Sequence, residues 1–62
     1  MLSKPILRQM CEVLVISLVG KKHAHAWWNG RNKAFDNKTP EEMWTEEPYR
    51  VYEYLMHYAD YP

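Results

Sequence analysis

A single cysteine, Cys11, in a chain of 62 residues removes the covalent staple on which many domains of this size rely. Below about 70–80 residues a hydrophobic core gives little net stability, and disulfides, a metal or a partner supply the rest. A 60-residue chain buries only about 60% of the surface it exposes when unfolded. One cysteine cannot close a disulfide within the chain. Set among apolar residues, it reads as a buried thiol suited to a reducing compartment. The expectation is one thin domain, residues 1–62, that leans on a partner, either a second copy or another protein.

Charge narrows the choice of partner. Eight basic and eight acidic residues cancel to a formal net charge of zero, whereas a dedicated nucleic-acid binder carries a basic excess to neutralise phosphates. Lys21, Lys22, Arg31, Lys33 and Lys38 are interleaved with tryptophans, an arrangement able to stack bases. The acidic residues between 41 and 47 balance them, and the sum provides no field. A solvated turn region is expected there, and nucleic acid is not an expected partner. Three tryptophans, five tyrosines and one phenylalanine point instead to packed cores and interface centres.

The apolar run at residues 13–19 is far shorter than the roughly 20 residues of a membrane span, so no membrane is expected. The first 20 residues lightly resemble a secretory leader, but Arg8, Gln9 and Glu12 interrupt the apolar part and no small-x-small site follows. The expectation is a folded helix in a cytoplasmic protein.

That helix is predicted over about Lys4 to Val19. Ser3 fits the N-cap, Pro5 the first turn, and Gly20 the position after the end. Ile6, Met10, Val13, Leu14 and Ser17 share one face, widened by Leu7, Cys11 and Leu18. Arg8 and Glu12 form an i,i+4 pair on the outside. A short second helix, about Lys21 to Asn29, ends at Gly30. Residues 31–38 form a turn with Ala34 and Phe35 as its apolar anchor and Asp36-Asn37 in turn geometry.

Thr39-Pro40-Glu41-Glu42 is the sharpest local signal. Thr39 caps, Pro40 takes the first helical position, and Glu42 completes a capping box. Both acids sit at the positive end of the helix dipole. This helix is predicted to reach about Trp44, with Thr45-Glu46-Glu47-Pro48 opening a last helix that runs to about Ala59. Val51, Leu55, Tyr58 and Ala59 fall on one face of it, broadened by Tyr49, Tyr52 and Met56, while Tyr54 and Tyr61 lie elsewhere. The fold class is all-α, a compact bundle of about four short helices.

Chemistry-bearing sets are sparse. His23, His25 and His57 are the one candidate metal set, but residues two apart point to different sides of a helix and no cysteine or clustered carboxylate completes four ligands. Neither metal nor cofactor is expected. Cys11 has no histidine near it in sequence, and nucleophilic catalysis needs a base within hydrogen-bond reach. The chain is not expected to be an enzyme. Trp27 and Trp28 cannot both face one core from a helix, so one is half-exposed and a candidate interface anchor; we assign that role to Trp28.

Taken together, Ala24, Trp27-Trp28, Asn32-Lys33-Ala34-Phe35, Asp36-Asn37, Thr39-Pro40-Glu41-Glu42-Met43-Trp44, Val51 and Leu55 resemble the toxin-binding domain at the C-terminus of the Xre/MbcA/ParS antitoxins. The resemblance covers about residues 24–56, roughly half the chain. It implies a module that neutralises a RES-domain toxin, an NAD-consuming enzyme, that tends to dimerise, and whose chain end helps to block the toxin. Family members usually carry an N-terminal helix-turn-helix. Here one helix precedes the motif, so a free-standing module without operator binding is expected. Trp28 stands where leucine is commoner, Asp36-Asn37 where glycines are, and residues 58–62 do not align.

The expected function is a small protein-binding inhibitor that masks a partner, through Tyr54, Tyr58, Asp60 and Tyr61 with Trp28 as secondary anchor. The alternative is a phage- or mobile-element-encoded inhibitor of an unrelated host regulator or defence protein.

Overall fold

The computed structural model describes residues 3–60. Four α-helices follow one another: α1 (Lys4–Val19), α2 (Lys21–Asn29), α3 (Pro40–Glu46) and α4 (Pro48–Asp60), with a single 3-10 turn at Lys33–Phe35 between α2 and α3. The radius of gyration is 10.8 Å, close to the roughly 10.6 Å expected of a compact chain of this length. The all-α bundle is as the periodicity predicts.

Each boundary has a local cause. Gly20 adopts φ 88° and ψ 154°, a combination that side-chain-bearing residues avoid. Its N–H donates to the Ile16 carbonyl at 2.9 Å while its own carbonyl accepts from His23 N–H at 3.1 Å. One residue thus closes α1 and opens α2. Ser3 occupies the α1 cap position with extended backbone, but its hydroxyl makes no capping bond. In the 31–38 connection, the Asn32 side chain accepts from Ala34 N–H at 2.9 Å, and Asn32 and Lys38 pair as an isolated antiparallel bridge. Asp36 and Asn37 take φ of 57° and 64°, which short acid and amide side chains tolerate. Phe35 is buried by this turn, whereas Ala34, expected to share its role, is exposed.

The capping box at Thr39 is complete. Glu42 N–H donates to Thr39 Oγ1 at 3.0 Å, and Thr39 N–H donates to Glu42 Oε1 at 2.8 Å. The α3 helix runs beyond Trp44 to Glu46. Thr45, expected near the start of the next helix, lies inside α3 and donates its hydroxyl to the Glu41 carbonyl at 3.2 Å. Glu47 is the corner: its N–H donates to Met43 O at 2.7 Å, and its carbonyl accepts from Arg50 N–H at 3.0 Å. Pro48, having no N–H, begins α4.

The core is Leu7, Cys11 and Val15 of α1, Trp28 of α2, Phe35, Met43 and Trp44 of α3, and Val51 and Leu55 of α4. This corrects the expected inward face of α1. Ile6 and Val13 are 51% and 59% exposed, while Leu7, Cys11 and Val15 are at 1% or below. Arg8 supplies the physical reason. Its guanidinium carbon lies 3.7 Å from the centroid of the Trp28 ring, and its two terminal nitrogens donate to the Glu41 carboxylate at 2.6 and 2.9 Å. Its Nε donates to Glu12 at 3.0 Å. Arg8 is therefore half-buried, not an outer-surface residue, and turning α1 to reach both Trp28 and Glu41 carries Leu7 and Cys11 inward.

Three outcomes test this account of stability. Thr39→Ala is expected to cost about 1 kcal/mol, a fall of roughly 4–8 °C in thermal midpoint for so small a domain. Arg8→Lys keeps the charge but loses the planar fork and stack. It is expected to destabilise nearly as much as Arg8→Ala in urea titrations, by about 1–2 kcal/mol. The third concerns acid. Hydrogen bonding from Arg8 is the first cause that holds the Glu41 carboxyl below its usual 4.5, and backbone hydrogen bonding at Thr39 does the same for Glu42. A carboxylate depressed in the folded state stabilises fully above its unfolded pKa and loses that contribution as pH falls through the folded one. The urea midpoint is therefore expected to drop below about pH 4.5, and Glu41→Gln to flatten that drop.

Candidate functional site

The α2 and α4 helices bring together an aromatic strip on one edge of the bundle. Tyr54 and Tyr58, one turn apart on α4, have ring centroids 4.9 Å apart. Trp27 of α2 lies 6.4 Å from Tyr54, and the buried Phe35 ring meets Tyr54 edge-on at 5.0 Å. Phe35 acts as a floor: the Asn32 turn fixes it, and it fixes Tyr54. The strip is thus held by contacts within the chain itself.

Its exposure is graded. Trp27 and Tyr54 are half-buried and pack against the core, and Tyr58 is 49% exposed. Burial, followed by the hydroxyl contact with Tyr58, raises the Tyr54 pKa above 10, with Asn32 acting in the opposite direction. Tyr54 accordingly stays a neutral phenol at physiological pH. Such a strip presents apolar ring faces with hydroxyl tips, the combination favoured at protein interfaces.

The expected site residues are divided by the structure. Tyr54 and Tyr58 come together, and Tyr54, expected to lie away from the apolar face of α4, packs on the edge of the core. Tyr58, expected on that face with Ala59, is exposed, as Ala59 is. Trp28 is corrected: it is only 5% exposed and cannot serve as an accessible anchor. Its ring is held edge-to-face between Trp27 at 5.2 Å and Trp44 at 6.4 Å, under the Arg8 guanidinium. The half-exposed tryptophan is Trp27. The side chain of Asp60 and the whole of Tyr61 lie outside the described residues.

A second surface was missed by periodicity. An open groove of about 460 Å³ is lined by Ile6, Gln9, Met10, Val13 and Leu14 of α1 with Tyr52 and Met56 of α4. The signal was present in α1, which has apolar residues on two faces, although a core of this size covers only one.

The remaining candidate chemistry takes these positions. Cys11 is fully buried, and desolvation pushes its thiol up to about 11, so it is protonated at neutral pH. Among the described residues no group of three or more His, Cys, Asp or Glu is placed to hold a metal ion, and no helix is long and apolar enough to cross a membrane. Lys38 donates to both carboxylate oxygens of Glu46 at 2.8 and 2.9 Å, and Arg50 lies 3.6 Å from Asp36, which sets bases of this region against acids.

In comparisons with known proteins, no family model, curated protein or solved structure gives a significant match to the chain.

Proposed function

We propose that this chain is a small protein-binding inhibitor that masks a partner protein, in the manner of an antitoxin's toxin-binding module. The observation that carries the reading is the prearranged strip of Trp27, Tyr54 and Tyr58, neutral and partly exposed, on a domain too small to cover it. Interface hot spots are enriched in tryptophan and tyrosine, and rings already packed on Phe35 lose little freedom when a partner covers them. The partner class is an enzyme of the RES type, which consumes NAD. The support for that is the resemblance in residues 24–56, whose Asn32 turn carries Phe35, the ring on which Tyr54 rests.

In this reading α4 and the chain end contact the partner, with Trp27 in the anchor role. Tyr58 is the central contact, and Tyr54 orients it from behind. The inhibition is steric: the domain sits over the partner's active site and keeps substrate out.

The test titrates the chain into a RES-type enzyme while NAD loss is followed. Stoichiometric inhibition is expected, and Tyr58→Ala is expected to raise the concentration needed by at least tenfold, since hot-spot truncations cost about 2 kcal/mol or more. Tyr58 is exposed, so the variant is expected to keep the wild-type circular dichroism spectrum. Undiminished NAD consumption at excess inhibitor would remove the RES assignment. Specific capture of an unrelated host regulator or defence protein, lost on Tyr58→Ala, would then favour the alternative of a phage- or mobile-element-encoded inhibitor.

A further inference from the structure

Asn29-Gly30 is the one place where an asparagine precedes a glycine in this chain. The backbone nitrogen of the next residue can attack an asparagine amide carbon, and glycine, having no side chain, shields that nitrogen least. Three features of the structure bear on this pair. Asn29 and Gly30 are both exposed, so water reaches the amide. Asn29 is the last residue of α2, and fraying ends open at the lowest free-energy cost. The third feature is the way α2 ends. Both α1 and α3 close on an N–H of the following residue, from Gly20 to Ile16 O at 2.9 Å and from Glu47 to Met43 O at 2.7 Å. Among the described residues Gly30 N–H makes no such bond, which leaves the attacking nitrogen unengaged.

The amide under attack is held against a histidine one turn back. Asn29 Nδ2 donates to the His25 carbonyl at 2.9 Å and lies 3.5 Å from His25 Nε2. The two other asparagines are placed differently. Asn32 is half-buried, and its side chain accepts from Ala34 N–H. After Asn37, the Lys38 N–H is bonded to the Phe35 carbonyl at 3.0 Å.

We propose that Asn29-Gly30 is a self-modifying site, at which the asparagine becomes aspartate and isoaspartate with His25 as proton donor to the departing ammonia. When the last turn of α2 opens, Gly30 N gives its proton to water and bonds to Asn29 Cγ. The Cγ–Nδ2 bond breaks, and the nitrogen leaves as ammonia with a proton from His25 Nε2, which water then restores. Water opens the resulting succinimide at either carbonyl. One opening gives aspartate; the other gives isoaspartate, whose backbone runs through the former side chain. The net change is hydrolysis of one amide, with no oxidant or reductant.

The product alters the end of α2. A carboxylate at position 29 cannot donate to the His25 carbonyl, and it sits at the negative end of the helix. The turn it loosens carries Trp27 and Trp28, so the change reaches the Arg8–Trp28 stack and the Trp27–Tyr54 contact. The isoaspartyl form also lengthens the backbone between α2 and the Asn32 turn that seats Phe35. The site thus couples the age of a chain to the arrangement of its aromatic strip, whatever partner that strip takes.

Ageing of the full chain at physiological pH and temperature tests it, followed by intact mass and by fragmentation across residues 28–31. Deamidation is expected to accumulate over weeks at Asn29 ahead of Asn32 and Asn37, with isoaspartate among the products. Asn29→Gln is expected to remain unmodified at that position. His25→Ala is expected to slow the reaction severalfold, and added imidazole to restore its rate. Asn29→Asp, one of the two products, is expected to lower the thermal midpoint by roughly 4–8 °C, as loss of about one hydrogen bond does in so small a domain. An unmodified Asn29, or faster reaction at Asn32 or Asn37, would overturn the site. An unchanged rate in His25→Ala would overturn the role of His25, and an Asn29→Asp chain as stable as wild type would overturn the coupling to the strip.

Discussion

One guanidinium group joins three of the four helices. Arg8 leaves α1, lies flat over Trp28 of α2 and forks onto Glu41 of α3. Only a planar, delocalised cation can stack through its face and donate through its edge at once. The net energy of such a partly solvated cluster is modest, because desolvation of the cation opposes the attraction. Its geometric effect is larger. It fixes the rotation of α1, and that rotation decides which apolar face becomes core and which remains at the surface.

The same contact sorts the tryptophans. Trp28 lies beneath Arg8 and between the edges of Trp27 and Trp44, so its indole is enclosed on several sides. Trp27, its neighbour on a helix that turns about 100° per residue, is pushed to the flank, where Tyr54 receives it. A pair that reads as an ambiguity in sequence becomes a buried residue that holds the fold and a half-buried one that begins the surface strip.

How much of this is legible in sequence depends on whether the signal is local. The Thr39 capping box, the Gly20 break and the left-handed Asp36-Asn37 turn are fixed by residues within four positions of one another, and the sequence places them correctly. The ends of α1 and α2 follow for the same reason. The inward face of α1 does not, because Ile6–Met10–Val13 and Leu7–Cys11–Val15 are both apolar at helical spacing. The choice between them rests on Glu41, 33 residues from Arg8. The extent of α3 is not legible locally, because Thr45 resembles a cap, whereas its hydroxyl donates to the Glu41 carbonyl and Pro48 sets the boundary. For the aromatic strip, Tyr54 and Tyr58 could be chosen from composition and spacing. The replacement of Trp28 by Trp27 again depended on Arg8.

The α4 helix then links stability to recognition. Its inward line, Val51 and Leu55, is fully buried, and on either side of that line lies a different partly exposed surface: tyrosines against Trp27 and Phe35 on one flank, Tyr52 and Met56 beside α1 on the other. A 62-residue chain encloses too little volume to bury every large apolar side chain it carries. Part of what it cannot bury is grouped on these two flanks, while Ile16, Leu18 and Tyr49 are exposed elsewhere. Neutrality limits long-range steering, so a partner of the kind proposed would be told apart by shape and by rings already held in place. In the proposed reading, the rigidity that Arg8 and Phe35 give to the core is also what would hold the surface rings in place for a partner. A looser core would leave the rings mobile, and each contact would lose part of its energy to ordering them.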